Sequence, residues 1–356
     1  MTTKDIKMKN NPLFSFLLIT YNQEKFVKDA FCSILAQSDR DFEIIICDDN
    51  SKDNTFAVCQ QLVNEYKQNG GDIHIVLHRN ETNKGIGGNF QQAYELSSGR
   101  WLLMAAGDDV SLPNRLEVVR SVINKCPNAY GINTGRYFVD ENGTNPVYNF
   151  SKGYLLGADS VWLRDVFDKF PPLDKTVMSE DHILNLRAML LGEMIQVNTP
   201  TINYRISSMN YSIQITNNIL DAKKAALKKM NYTRNVLLFR IKDLNVWKQE
   251  HSDELMSRML DKNYSELADT ESKIASYEKF INVCSKGFFG RMVYVLSPTN
   301  EWLHTNIAYR LYNVLKMYNL ISEKPQHKVH NMEIAPKPTN EIIKLSSIDF
   351  LEDYIF

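Results

Sequence analysis

Cysteine is scarce in this chain of 356 residues: Cys32, Cys47, Cys59, Cys126 and Cys284 are its five, and no CxxC pair occurs among them. An odd set without paired spacing argues against both a zinc site and a secreted disulfide framework, and fits a reducing, cytoplasmic setting. An excess of one charge is lacking too. Lysine plus arginine number 41 against 42 acidic residues, so a formal charge of −1 gives no whole-chain attraction to nucleic acid. Long apolar runs are also missing. The uncharged stretch 10–23 contains Asn, Pro, Thr and Tyr, and falls short of the ~20 apolar residues that a spanning helix needs. The opening MTTKDIKMKN has no apolar core followed by a cleavage site, so residues 1–11 are expected as a short disordered leader.

What remains is ordinary globular composition, 44% hydrophobic and 23% charged, at a length that suits two units or one large domain with an appendage. Short apolar runs at 13–19, 42–47, 73–77 and 101–106 alternate with segments of helical period. That alternation predicts an open, mostly parallel α/β sheet flanked by helices. Phe26, Ala30, Ile34 and Leu35 share one helical face, and Phe56, Cys59, Leu62, Val63 and Tyr66 share another. A third helix is expected over about 88–96, stopped by Ser97-Ser98-Gly99. Beyond Asp109 the pattern is mixed, with helices near 114–125 and 181–191 and a hairpin around 140–143. After about 215 the texture becomes long helical periodicity, marked by Leu227, Met230, Leu237, Ile241 and Leu244 and then by Met256, Leu260, Leu267, Ile274, Tyr277 and Ile281. The expected division is therefore 12–215, a helical hairpin region at 216–285, and an aromatic and basic helical segment with a partly extended tail at 286–356.

Ligands of open α/β sheets bind beyond the carboxyl ends of the strands. Here those ends read Thr20-Tyr21-Asn22, Asp48-Asp49-Asn50-Ser51, Gly107-Asp108-Asp109, and, after the third run, a mobile basic loop Asn83-Lys84-Gly85-Ile86-Gly87-Gly88. A carboxylate pair after an apolar strand suits a hard cation such as Mg²⁺ or Mn²⁺, which bridges protein carboxylates to substrate phosphates. The same pairs also suit turns and helix caps.

In order and spacing, PLFSFLLITYN, FEIIICDDNSKDNT, NKGIGGNFQQAYELSSGRWLLMAAGDD and the SED at 179–181 resemble the family 2 glycosyltransferases of GT-A fold. The resemblance covers roughly residues 12–210. It implies that Asp49 contacts the nucleotide base of a donor, with Thr20, Tyr21 and Asn22 lining the same pocket. Asp108 then lies against the ribose, Asp109 ligates a divalent metal on the diphosphate, and Asp181 is the catalytic base. Lys84 and Arg205 are phosphate candidates, Arg205 also being able to close a loop over the donor. Many members carry Tyr-Arg-x-His, whereas this chain has Tyr204-Arg205-Ile206-Ser207, so a third protein ligand for the metal is missing from the pattern.

The implied activity is metal-dependent, inverting transfer of a sugar from a UDP- or dTDP-sugar to a glycan or lipid-linked acceptor, in O-antigen or capsule polysaccharide synthesis. Two other readings stay open: a nucleotidyltransferase acting on sugar phosphates, and a non-catalytic nucleotide-sugar-binding assembly subunit. The first would carry a glycine-rich phosphate loop after strand one, where this chain has Tyr21-Asn22-Gln23. Downstream, 221–248 holds eight basic and two acidic residues and 250–281 holds eight acidic and four basic, which suggests a hairpin pairing with itself or with a second copy. Segment 286–320 interleaves aromatic and basic residues. It fits either an anionic membrane surface, making the protein peripheral on the inner face of the cell membrane, or a helical subdomain with its rings packed inward.

Overall fold

The computed structural model describes residues 11–153, 155–206, 219–251, 254–285 and 338–345. The leader and the aromatic-basic segment 286–320 lie outside these residues. The chain divides into two compact units, 1–207 with 334–356, and 208–333.

The four apolar runs are strands: β1 (Phe14–Thr20), β2 (Phe42–Asp48), β3 (Ile75–Arg79) and β4 (Trp101–Ala106). They pair in parallel in the order β4-β1-β2-β3. The third strand begins two residues later than its apolar run predicts, and so takes in His78 and Arg79. Between the strands run α1 (Val27–Leu35), α2 (Thr55–Gln68) and α3 (Gly85–Leu96). Every residue of β1 and β2 is buried, as a strand covered on both faces requires. One face packs Phe14, Phe16, Ile44 and Trp101 against Ala30, Ile34, Cys59 and Val63. On the other face Phe90 of α3 meets Trp162 edge-on at 5.9 Å.

After β4 the sheet becomes mixed. A two-residue strand β5 (Val110–Ser111) leads into α4 (Arg115–Lys125) and the long β6 (Ala129–Val139). The expected hairpin is present, with β7 (Val147–Asn149) antiparallel to β6. Its turn is tied by the Asp140 carboxylate, which accepts from the backbone N–H of Thr144 at 2.9 Å. A tight turn at Gly157–Asp159 then enters β8 (Ser160–Leu163), antiparallel to both β4 and β6. The short α5 (Asp165–Asp168) and α6 (Asp181–Leu191) precede β9 (Glu193–Arg205), which runs parallel to β6.

A part of the expected partly extended tail pairs with the sheet. Ile342–Lys344 forms β10, antiparallel to β9, so residues 338–345 belong with the sheet rather than with a terminal appendage. Leu345 is buried there and donates its N–H to the Met194 carbonyl at 2.8 Å. Three apolar residues in a polar context carry too little periodicity to announce a strand; the open edge of β9 supplies the reason.

The second unit contains α7 (Ile219–Lys248) and α8 (Glu254–Ser285). They pack antiparallel: Lys223 lies over the Tyr277 ring at 4.8 Å, and Asn245 donates to the Tyr264 hydroxyl at 3.4 Å. Leu237, Ile241 and Leu244 of α7 and Met256, Leu260 and Ile274 of α8 are buried, as the periodicity predicts. Among the described residues, no helix is long and apolar enough to cross a membrane.

Candidate active site

Three strand ends converge at one edge of the sheet. At the end of β2, Asp48 is consumed by local structure: its carboxylate accepts from the Ser51 N–H at 3.1 Å and from the Ser51 and Thr20 hydroxyls, with Arg79 Nε 3.5 Å away. Asp49 points the other way. Its Oδ1 accepts from Asn80 Nδ2 at 2.9 Å and from the backbone N–H of Lys84 at 2.7 Å, while Oδ2 takes no hydrogen bond from a described residue. Asn22 and Asn50 adopt left-handed backbone, φ 54° and 60°, a conformation asparagine tolerates better than most residues. Asn22 laces the two strand ends together, donating its N–H to Ser51 Oγ and accepting from the Lys52 N–H. Tyr21 beside it is 44% exposed, a ring face available for stacking.

The glycine-rich stretch is not a mobile loop. It is the first turn of α3, which starts at Gly85, three residues before the expected start. Its glycines admit the segment 174–177: a Cβ on Gly87 would lie 2.5 Å from Val177 Cβ and 2.7 Å from the Asp174 carbonyl oxygen. Gly87 N–H also donates to the Val177 carbonyl at 3.0 Å. Close packing therefore explains these glycines. The Lys84 ammonium donates to Gln92 Oε1 at 2.7 Å, and the residue reaches Asp49 through its backbone.

The Gly107-Asp108-Asp109 turn leaves β4 under β1, with Gly107 N–H bonded to the Ile19 carbonyl. A side chain at 107 would collide with Gln23 and Thr20. Burial pushes the carboxyls of Asp108 and Asp109 above the usual range, and for Asp109 the Asp108 charge adds to it. Arg205, at the end of β9, braces this turn: its N–H donates to Asp109 Oδ1 at 2.9 Å and its Nε to the Asp108 carbonyl at 2.9 Å. Its remaining nitrogens reach the Glu141 carbonyl at 2.5 Å and Asp29 at 3.5 Å, and the guanidinium lies over Phe26. Arg205 is 4% exposed and thus committed to protein partners.

Two adjacent carboxyls driven toward neutrality by burial, and in Asp109 also by the Asp108 charge, suit a divalent cation, whose charge would relieve both effects. Among the described residues, no group of three His, Cys, Asp or Glu side chains could hold a metal. A cation at Asp109 would therefore complete its shell with substrate phosphate and water, as Mg²⁺ and Mn²⁺ commonly do.

Asp181 opens α6 and is buried; Oδ2 accepts from the Gly157 N–H at 3.0 Å and Oδ1 from the His182 N–H at 2.8 Å. Glu180 beside it is also buried, and burial with the Asp181 charge pushes its carboxyl up to about 8. A Cβ on Gly157 would lie 2.3 Å from Glu180 Oε1, so the glycine makes room for one acid while its amide holds the other.

Behind the acidic residues lies a buried ionic group with no counterpart in the sequence reading. Asp159 pairs with Arg136 and accepts from Asn133 Nδ2 at 2.5 Å. Arg115 is 1% exposed, and burial lowers its guanidinium to about 10 against the opposing pull of Asp159 and Asp109. A sequence signal for Arg115 existed. It occupies the apolar phase of α4 together with Val119 and Val122, both buried, where a cation is out of place unless partnered.

Residues 15–176 match the family model described as glycosyl transferase family 2. This region is a family 2 glycosyltransferase domain. Its sheet with flanking helices, and the helical region that follows it in the chain, agree with the α/β architecture that the resemblance implied. The glycosyltransferase domain is similar to the putative glycosyltransferase EpsE of Bacillus subtilis, 31% identical over 136 residues, which cover 38% of this chain and 47% of the relative. It is likewise similar to WfgD of Escherichia coli, a UDP-Glc:alpha-D-GlcNAc-diphosphoundecaprenol beta-1,3-glucosyltransferase, 31% identical over 133 residues, 37% of this chain and 48% of the relative. The matched segment thus spans about half the length of these relatives. Among solved structures, Staphylococcus aureus TarS 1–349 in complex with UDP-GlcNAc aligns over 85% of this chain and 89% of its own, at 13% identity and a TM-score of 0.48. The mannosyltransferase PcManGT from Pyrobaculum calidifontis, in complex with GDP-Man and Mn²⁺, aligns over 87% and 88%, at 12% identity and a TM-score of 0.47.

Proposed function

We propose that the chain is an inverting glycosyltransferase that moves one sugar from a UDP- or dTDP-sugar to a hydroxyl of a lipid-linked or glycan acceptor. The observation that carries this is the convergence of the Asp49 pocket and the Asp108-Asp109 turn at one sheet edge, within the family 2 match at 15–176, with Asp181 at the start of a helix just beyond that match. Asp49, with Tyr21 and Asn22 at the neighbouring strand end, offers an acceptor and a ring face to a nucleobase. Asp108 faces the ribose and Asp109 would hold Mn²⁺ or Mg²⁺. Such a cation, when bound, neutralises charge developing on the diphosphate.

Asp181 takes the proton of the acceptor hydroxyl as its oxygen attacks the anomeric carbon. The new C–O bond forms on the face opposite the breaking C–O bond to phosphate, and the nucleoside diphosphate leaves with that electron pair. The configuration at the anomeric carbon inverts. Buried N–H donors from Gly157 and His182 fix the Asp181 carboxylate for this task. A diphosphate-lipid acceptor is supported by the activity of the E. coli relative, and polysaccharide assembly at a membrane surface follows from such an acceptor.

A screen of sugar nucleotides with Mn²⁺, by thermal shift and then by radiolabel transfer to a lipid-diphosphate sugar, tests the reading. A melting-temperature gain with a uridine or thymidine donor and release of its nucleoside diphosphate are expected. No gain and no release with any sugar nucleotide would reject it.

A further inference from the structure

Arg115 joins the two halves of the candidate site from behind. Its Nη1 donates to Ser111 Oγ at 3.1 Å, two residues beyond Asp109 on the same strand-and-turn segment. Its Nη2 donates to the Ala158 carbonyl at 3.1 Å. Ala158 is the middle residue of the Gly157–Asp159 turn, whose first N–H holds Asp181 and whose last carboxylate pairs with Arg136. Asp109, Ser111, Arg115 and Ala158 line one small cavity with about 10 Å³ open to the centre of a water molecule, and Arg115 Nε has no hydrogen-bond partner beside it. That space and that polarity suit a single bridging water.

We propose that Arg115 is a positioning residue, a strut that sets the separation between the Asp109 turn and Asp181. The inference rests on the glycosyltransfer reading given above. A planar guanidinium with fixed donors spans two acceptors at a set distance, which a flexible ammonium cannot reproduce. Packing alone would be better served by an apolar residue at this phase of α4, because a buried ion repays its desolvation only through good geometry. The geometry here connects the donor-side turn to the turn that holds the base. Transfer needs donor and acceptor oxygens aligned to within a fraction of an ångström, so a strut between their supports acts on turnover more than on binding.

Arg115→Lys tests it, with Arg120→Ala on the same helix as a control that removes the surface pairs to Asp39 and Asp41. The Lys variant should lose about 10²-fold in kcat with KM for the donor near that of the unaltered protein. Amide exchange at Gly157 should accelerate in that variant and not in Arg120→Ala. If the Lys variant does not fold, Ser111→Ala, which removes one anchor with little change in packing, should give the same acceleration at Gly157. Unchanged exchange at Gly157 in the folded variant overturns the strut, as does a kcat loss no larger than that of Arg120→Ala. Absence of transfer by the unaltered protein would instead reject the glycosyltransfer reading, and the exchange measurement would still decide whether Arg115 positions the turn.

Discussion

The backbone N–H of Lys84 donates to Oδ1 of Asp49 at 2.7 Å, so the basic residue expected to meet a phosphate with its ammonium also anchors the pocket through its main chain. Asn80 makes the second bond to the same oxygen, and Asn80 in turn donates to Asn89 of α3. Asp49→Ala would leave the Lys84 N–H and one of the two Asn80 amide hydrogens without an acceptor, a loss of about 1–3 kcal/mol for each such buried group. Denaturant unfolding should report that loss. The variant should also lose its thermal shift with nucleoside diphosphate, and retention of a full shift would remove Asp49 from the pocket. Lys84→Met, which keeps the backbone bond, should hold stability near that of the unaltered protein.

Asp109→Asn preserves shape and the acceptor for the Arg205 N–H while removing the charge that a divalent cation needs. The expected outcome is a nucleoside diphosphate that still stabilises the variant but no longer does so more strongly when Mn²⁺ is added. Calorimetric titration with and without the metal reads this directly. An undiminished Mn²⁺ effect would move the metal away from Asp109.

Asp181→Asn should bind the sugar nucleotide as before and transfer about 10²–10⁴-fold more slowly, the usual contribution of a general base. A competition assay for donor binding alongside a transfer assay separates the two effects. Full transfer by this variant would exclude Asp181 as the base.

Glu180 provides a pH signature. Its carboxyl titrates near 8 in the folded protein against an ordinary 4.5, so the folded chain binds this proton more tightly than the unfolded chain. The resulting stabilisation is complete below about 4.5 and disappears as pH rises through about 8. The midpoint of urea unfolding in the unliganded protein should therefore fall across that interval, and Glu180→Gln should flatten the slope. Equal slopes for both proteins would contradict the burial of an uncharged acid beside Asp181.

Gly87→Ala would place a methyl group against Val177 Cβ and two backbone carbonyls, at 2.5, 2.7 and 2.9 Å. Two of these atoms are backbone oxygens and the third is a Cβ, so no flexible side-chain end is there to yield. Overpacking of this kind costs about 1–3 kcal/mol, measurable by chemical denaturation. Unchanged stability would restore the reading of this stretch as a mobile loop.

The sequence alone determined the parallel core and the places where ligands would meet it. Apolar runs such as 42–47 can be satisfied only as strands covered on both faces, and the polar residues that follow them must then line one edge of the sheet. Local periodicity likewise determined the long helices, because Leu237, Ile241 and Leu244 recur at the spacing of one helical face. Only the tertiary structure decided which strand-end side chains remain available. Asp48 and Arg205 have the right chemistry for a ligand, yet both are occupied by partners that come from elsewhere in the chain, Arg79 and Asp108 among them. The same holds for Arg115, whose acceptors at Ser111 and Ala158 are 4 and 43 positions away. Residue type sets what a side chain can bind, whereas long-range packing sets what reaches it first.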